Sequence, residues 1–163
     1  MRRPVLAAIL ILALMGCGDP AEKALRDGLV HFQQQDYDQA IACYQQAISY
    51  GARSPRAYNM LGMAYRFKYQ RLGEPGLQES EIEAFQTAAK IDPKYWVAMV
   101  NLGTTYYSRG EKDKAAYWFK RALVLKPDHP ERAKLEKMIA EATPAPPEGA
   151  SKKTRRREKR RQD

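Results

Sequence analysis

Three glycines, Gly28, Gly62 and Gly103, recur with similar neighbours, and this recurrence constrains the chain more than any other feature of its sequence. The first two stand 34 residues apart and the second pair 41, one period plus seven inserted residues. Aligned on the glycines, Ala40, Tyr44 and Ala47 of the first unit fall beside Ala115, Phe119 and Ala122 of the third. Small residues at helical spacing let two antiparallel helices approach closely, and aromatics fill the space beside the crossing. Asp92-Pro93 and Lys126-Pro127 then stop the second helix of units two and three, because proline cannot continue it. A hairpin with so broad an apolar stripe cannot bury it alone, so stacked neighbours must complete the core.

Tyr58-x-x-Leu61-Gly62-x-x-Tyr65 and Leu102-Gly103-x-x-Tyr106 resemble the first-helix signature of tetratricopeptide repeats. The Ala-x-x-x-aromatic-x-x-Ala pattern resembles the second. The resemblance implies an all-α helical-hairpin (TPR) solenoid of three repeats, about 21–54, 55–94 and 96–129, closed by a C-terminal capping helix at 130–142. The cap is expected to carry Pro130 in its first turn and to pack through Ala133, Leu135, Met138 and Ile139. The pattern is broken in three places. Ala24 and Asp27 stand where a bulky aromatic and a leucine are preferred, which makes the first helix degenerate. Glu81 occupies the place of a small alanine and is expected to weaken the crossing of unit two. The inserted residues 66–72 should lengthen a helix by two turns, with Gly73-Glu74-Pro75-Gly76 forming the turn. Tyr69 and Arg71 make that insertion a further possible contact surface, beside the simpler expectation of a lengthened solvated helix.

The formal charge of +9 over 163 residues is unevenly placed. Residues 19–150 carry 18 Lys and Arg against 17 Asp and Glu, whereas 151–163 carry eight bases against Glu158 and Asp163. A body so near neutrality does not present the basic faces of a nucleic-acid-binding fold. Residues 143–163 begin with a proline-rich stretch that lacks core formers, and are expected to be a disordered linker and basic tail. Lys152, Lys153, Arg155, Arg156, Arg157, Lys159, Arg160 and Arg161 could attract an anionic lipid or polymer at about 1 kcal/mol per base before screening. This supplies an alternative function, binding of an anionic polymer, lipid or nucleic acid through the tail. The absence of interleaved aromatics argues against nucleic acid.

At the other end, Arg2 and Arg3 precede twelve apolar or small residues that end at Gly16. As a helix these span about 18 Å, short of the roughly 30 Å hydrocarbon layer. The layout is that of an export signal. Leu14-Met15-Gly16-Cys17 resembles the lipobox of bacterial lipoproteins. That resemblance implies a signal peptide at 1–16, lipidation of Cys17 and a short tether at 17–20. It also implies a position in the bacterial cell envelope, on the inner or outer membrane and facing the periplasm. The covalent lipid is the one added group expected, and Cys43 would then have no disulfide partner.

Catalytic signatures are missing: there is no G-x-S-x-G, no H-E-x-x-H, no phosphate-cradling glycine loop and no Cys/His cluster at metal spacing. His31 and His129 are expected in packing or surface roles, and Glu79 and Glu83 on a solvated helix face. An enzyme is not expected, nor a metal, nor a small-molecule substrate.

In the family the first helices line a concave groove. The resemblance therefore implies a peptide-binding face of Leu29 and Phe32, with Leu25, from unit one. Unit two would add Asn59, Met63, Arg66 and Phe67, and unit three Val100, Asn101, Thr104 and Tyr107. A carboxylate clamp for chaperone C-termini would need cations where Leu25, Val97 and Asn101 stand. The expected function is a membrane-tethered, non-catalytic scaffold or assembly factor for unidentified envelope proteins.

Overall fold

The computed structural model describes residues 19–142, and all that follows concerns them. They form seven helices and, among the described residues, no strand: α1 Pro20–Gln33, α2 Tyr37–Ser49, α3 Pro55–Leu72, α4 Pro75–Ile91, α5 Trp96–Ser108, α6 Lys112–Leu125 and α7 Arg132–Ala142. Local chemistry accounts for most boundaries. The side chains of Asp19, Asp36 and Ser54 accept hydrogen bonds from the first-turn N–H groups of α1, α2 and α3, which no helical carbonyl reaches. Pro20, Pro55 and Pro75 open α1, α3 and α4, where a missing N–H costs nothing.

Two expected boundaries move. The turn after α3 is Gly73-Glu74 alone, because Gly73 takes the left-handed conformation (φ 72°) that ends a helix while the fixed φ of Pro75 already suits the next one. Pro130 lies outside the cap. Hydrogen bonds from His129 N–H to the Lys126 carbonyl and from Arg132 N–H to the His129 carbonyl close turns across 126–132, and α7 starts at Arg132. Ala133 is consequently exposed, whereas Leu135 is buried and Met138 and Ile139 pack at the core edge.

The hairpins α1–α2, α3–α4 and α5–α6 stack in chain order, with α2 on α3, α4 on α5 and α7 against α6. Each crossing has the same construction. A Cβ placed on Gly28, Gly62 or Gly103 would lie 2.5, 2.6 or 2.4 Å from the ring of Tyr44, Phe85 or Phe119 respectively. No side chain longer than hydrogen fits there. Ala40, Ala47, Ala88 and Ala115 are fully buried on the facing helices. One apolar cluster joins Ala40, Ile41 and Tyr44 to Leu61, Ala64 and Ala84, and so spans units one and two. The other runs from Phe85 through Leu102 and Phe119 to Leu135 of the cap. Stacking therefore supplies the burial that a single hairpin lacks.

The insertion does not stand free in solvent. Phe67 packs against Phe32 and Tyr37 with ring centroids 5.4 and 5.8 Å away. Arg71 lies over Tyr37 and donates to the Gln35 carbonyl at 3.2 Å, and Lys68 pairs with Asp38 at 2.6 Å. The extra turns clamp unit two onto unit one.

Gly73, in the α3–α4 turn, and Gly76, in the first turn of α4, should respond oppositely to alanine. Gly76 has open space around its Cβ position and lies within α4, so Gly76→Ala is expected to stabilise by about 0.5–1 kcal/mol through the unfolded chain. Gly73→Ala should cost about 1 kcal/mol, since its φ of +72° crowds a Cβ. Urea denaturation of the two variants would separate the signs.

Candidate functional site

The first helices of units two and three lie side by side and are joined by polar side chains. Asn101 Nδ2 donates to Asn59 Oδ1 at 2.8 Å. Arg66, from the insertion, reaches across both helices. Its Nε donates to Glu81 Oε1 at 2.7 Å, and Nη1 to Asn101 Oδ1 at 3.0 Å and to the sulfur of Met63 at 3.7 Å. Nη2 donates to the Asn101 carbonyl and to Thr105 Oγ1, both at 2.9 Å. Every N–H of the guanidinium is thus engaged, and the group sits 4.9 Å from the centre of the Phe85 ring. The Thr105 hydroxyl completes the cluster with a 2.5 Å bond to Glu81.

Arg66 was expected at the groove as a ligand contact. Its side chain is 13% exposed and has no donor to spare, so it is an internal tie between α3, α4 and α5. Asn101 likewise spends its amide oxygen on Arg66 and one amide proton on Asn59. Glu81, expected to weaken the crossing, is 2% exposed and bonded from two sides, so the substitution of alanine is matched by a partner in the insertion. Glu81 and Thr105 are the residues that sequence reasoning missed. The available signal was a carboxylate aligned with Ala40 and Ala115 in the one unit that also gains an arginine.

The remaining residues expected at the groove separate into three groups. Phe32 and Phe67 belong to the aromatic seam between units one and two, with Tyr37 as third member. Tyr107 is tied to the cap, its hydroxyl donating to Glu141 Oε2 at 2.5 Å and its ring lying near the Lys112 ammonium. Leu29 and Thr104 are exposed, Asn59, Met63 and Val100 half-exposed. The Thr104 hydroxyl bonds the Val100 carbonyl of its own helix. All five are uncharged, and Met63 and Val100 also pack against the second core cluster. Leu25, at a place a carboxylate clamp would give to a cation, packs against the first core cluster.

The Tyr107–Glu141 bond holds the tyrosine above its ordinary value of 10.0 and, with Lys112, holds the carboxyl below its ordinary 4.5. A depressed carboxylate contributes stability above its unfolded value and loses it as pH falls through the lower folded value. A raised tyrosine contributes below its unfolded value and loses that contribution as pH rises through the higher folded one. Docking of α7 should therefore loosen below about pH 4 and above about pH 10. Glu141→Gln should narrow the difference between melting at pH 3 and at pH 7, the rest of the acid loss staying with Asp38, Glu111 and Asp128, whose carboxyls their lysine partners also hold low.

Cys43 is half-buried, and desolvation followed by the nearby Asp27 carboxylate raises its thiol, leaving little thiolate. His129 is buried, accepts the Glu131 N–H at Nδ1 and meets Trp96 edge-on at 5.3 Å, a packing role. Among the described residues no group of His, Cys, Asp and Glu could hold a metal, and no helix is long and apolar enough to cross a membrane. Cys17 and the basic residues Lys152, Lys153, Arg155, Arg156, Arg157, Lys159, Arg160 and Arg161 lie outside the described residues.

Family models described as "TPR repeat" and "Tetratricopeptide repeat" match residues 28–66 and 82–130. Human protein O-mannosyl-transferase TMTC1 is 36% identical over 138 residues, which cover 76% of this chain and 15% of that protein. The chain thus corresponds to a small part of that relative's length. Among solved structures, the Arabidopsis OM64 TPR domain superposes with a TM-score of 0.66 at 22% identity, covering 76% of this chain and 97% of that one. The first TPR of Spaghetti (RPAP3), bound to the HSP90 peptide SRMEEVD, gives 0.65 at 22% identity, covering 76% and 92%. At these identities the structural likeness speaks to the fold.

Proposed function

We propose that this chain, a tetratricopeptide-repeat solenoid of three helical hairpins and a cap, is a non-catalytic scaffold that holds a partner protein along α1, α3 and α5. The observation that carries this is that Leu29 of α1, Asn59 and Met63 of α3, and Val100 and Thr104 of α5 are uncharged and at least partly exposed. Apolar side chains beside an unspent amide suit an extended peptide, whose main chain needs hydrogen bonds while its side chains need apolar contact. The RPAP3 domain, similar in fold, binds a peptide of a partner protein, which supports the same use here. The export-signal layout and Cys17 support a tether to a bacterial envelope membrane, with the solenoid on the periplasmic side and a partner in envelope assembly.

Two measurements test these parts separately. Affinity capture from native membranes should enrich a partner with the wild-type chain and with a chain lacking residues 151–163. It should lose that partner with Leu29→Glu combined with Thr104→Arg, a pair of exposed changes that spare the core. Loss on tail deletion, with retention in the groove variant, would move the function to the tail. Cys17→Ser should release the protein from the membrane pellet and abolish incorporation of a fatty-acid label. Labelling that persists would remove the lipid tether.

A further inference from the structure

Helix direction alternates along the chain, so the starts of α1, α3 and α5 share one edge of the stack with the ends of α2, α4 and α6. Trp96, which opens α5, accordingly meets His129 of the loop after α6 at 5.3 Å. On this same edge α1 opens at Pro20, three residues after Cys17 in the sequence. Three residues reach at most about 10 Å, whereas the 14 residues of α1 set the opposite edge about 20 Å further along the helix.

The two edges differ in their side chains. Every unit exposes a large apolar residue on the edge near Cys17, where Tyr50 closes α2, Ile91 closes α4, and Val124 and Leu125 close α6. Val124 is 78% exposed. The far edge has Val30 and Leu72. Cations contrast more sharply. On the far edge Lys68, Arg109, Lys112 and Lys114 each pair with a carboxylate of the chain. On the near edge Arg53, Arg56, Lys90 and Lys94 are exposed, and no carboxylate among the described residues lies within pairing distance of them. The carboxylates of that edge are engaged otherwise: Asp19 and Asp92 accept the N–H groups of Ala21 and Lys94, and Asp128 and Glu131 pair with Lys126 and Lys134.

We propose that the edge closed by Tyr50, Ile91, Val124 and Leu125 lies on the phospholipid headgroup layer of the bilayer that holds Cys17. This rests on the lipid tether proposed above and adds the surface that fixes how the solenoid stands on the membrane. Apolar ends enter the acyl boundary while the four unpaired cations stay at the lipid phosphates, the arrangement that amphipathic side chains adopt at such an interface. A protein partner is a poorer occupant, since the tether leaves between edge and headgroups a gap no wider than one helix, about 10 Å. The helices then stand upright, and the face of α1, α3 and α5 opens along the membrane.

Fluorescence quenching tests the contact on the full chain, carrying its lipid and reconstituted in vesicles. These are phosphatidylethanolamine with about one quarter phosphatidylglycerol and a trace of phosphatidylcholine bearing a headgroup nitroxide. In a Cys43→Ala background, a fluorophore is placed at one exposed position at a time: Ser49→Cys or Pro130→Cys on the near edge, Gln34→Cys or Asp113→Cys on the far edge. Both near positions should be quenched, in unit one and beyond unit three alike, and both far positions spared. Quenching at Ser49→Cys alone would mean that the tether holds unit one while unit three swings free, and overturns the edge contact. Equal quenching at all four positions, or none in a chain that floats with the vesicles, overturns the contact and leaves the tether standing. A chain that does not float overturns the tether and the contact with it. Ile91→Glu combined with Val124→Glu, both exposed, should lower quenching at Pro130→Cys about threefold with flotation unchanged. Undiminished quenching there overturns the role given to the apolar helix ends.

Discussion

Glu81→Ala lowers the stability of the folded repeats by about 3 kcal/mol, even though it restores the residue that the repeat pattern favours. Removing the carboxylate leaves the Arg66 guanidinium, 13% exposed, without its counter-charge, and costs the Thr105 hydroxyl its 2.5 Å acceptor, leaving it the Asn101 carbonyl at 3.0 Å. Breaking one side of a buried pair is far costlier than never having built it, since the surviving charge keeps its desolvation penalty. The double variant Arg66→Leu with Glu81→Ala should accordingly recover most of the loss, with a coupling of about 1–3 kcal/mol in the double-mutant cycle. Urea denaturation followed by circular dichroism at 222 nm measures all four corners. A loss below about 1 kcal/mol in the single variant would mean that the pair is solvated, as exposed pairs are. Because the cluster joins α3, α4 and α5, the loss should fall on units two and three, with hydrogen exchange rising first at that seam.

Gly103→Ala is expected to destabilise by about 2 kcal/mol. Alanine gains about 1 kcal/mol of helix propensity over glycine, and overpacking a full core costs up to about 3. Here the added methyl would sit 2.4 Å from a ring carbon of Phe119, whose side chain is fully buried and has nowhere to retreat. Phe119→Leu should partly rescue it by vacating the clash, although alone it opens a cavity. The same reasoning covers Gly62 against Phe85 and Gly28 against Tyr44. If Gly103→Ala raised the melting temperature, the close crossing of α5 and α6 would be wrong. Gly76→Ala is the internal control, since it receives the same propensity gain with no neighbour to meet.

Much of this architecture was legible before any coordinates, for a physical reason. The glycine–aromatic crossing depends on residues inside one hairpin, and the chain repeats it three times. The start of the second unit at Pro55 and the stop at Gly73 likewise depend on single residues and the groups nearest them, whereas Pro20 and Pro75, read as tether and turn, open helices. Where reasoning from pattern misplaced a feature, it judged a residue by its own unit. Glu81 looked like a defect because Ala40 and Ala115 occupy its place elsewhere, and Arg66 looked like a groove residue because its helix position faces that way in the family. Pro130 looked like a helix start because proline is welcome there, while the turn bonds across 126–132 delay the helix.

By itself, then, the sequence determined the helices, their pairing into hairpins and the count of repeats, because each follows from spacing over a few tens of residues. Tertiary structure alone decided which polar residues hold the stack together. Arg66 meets Glu81, Asn101 and Thr105 across separations of 15, 35 and 39 residues, and only the stacking angle of neighbouring hairpins brings those groups within hydrogen-bond reach. A periodic pattern records which side of a helix is apolar; it carries no record of which distant donor will meet which acceptor once that side is buried.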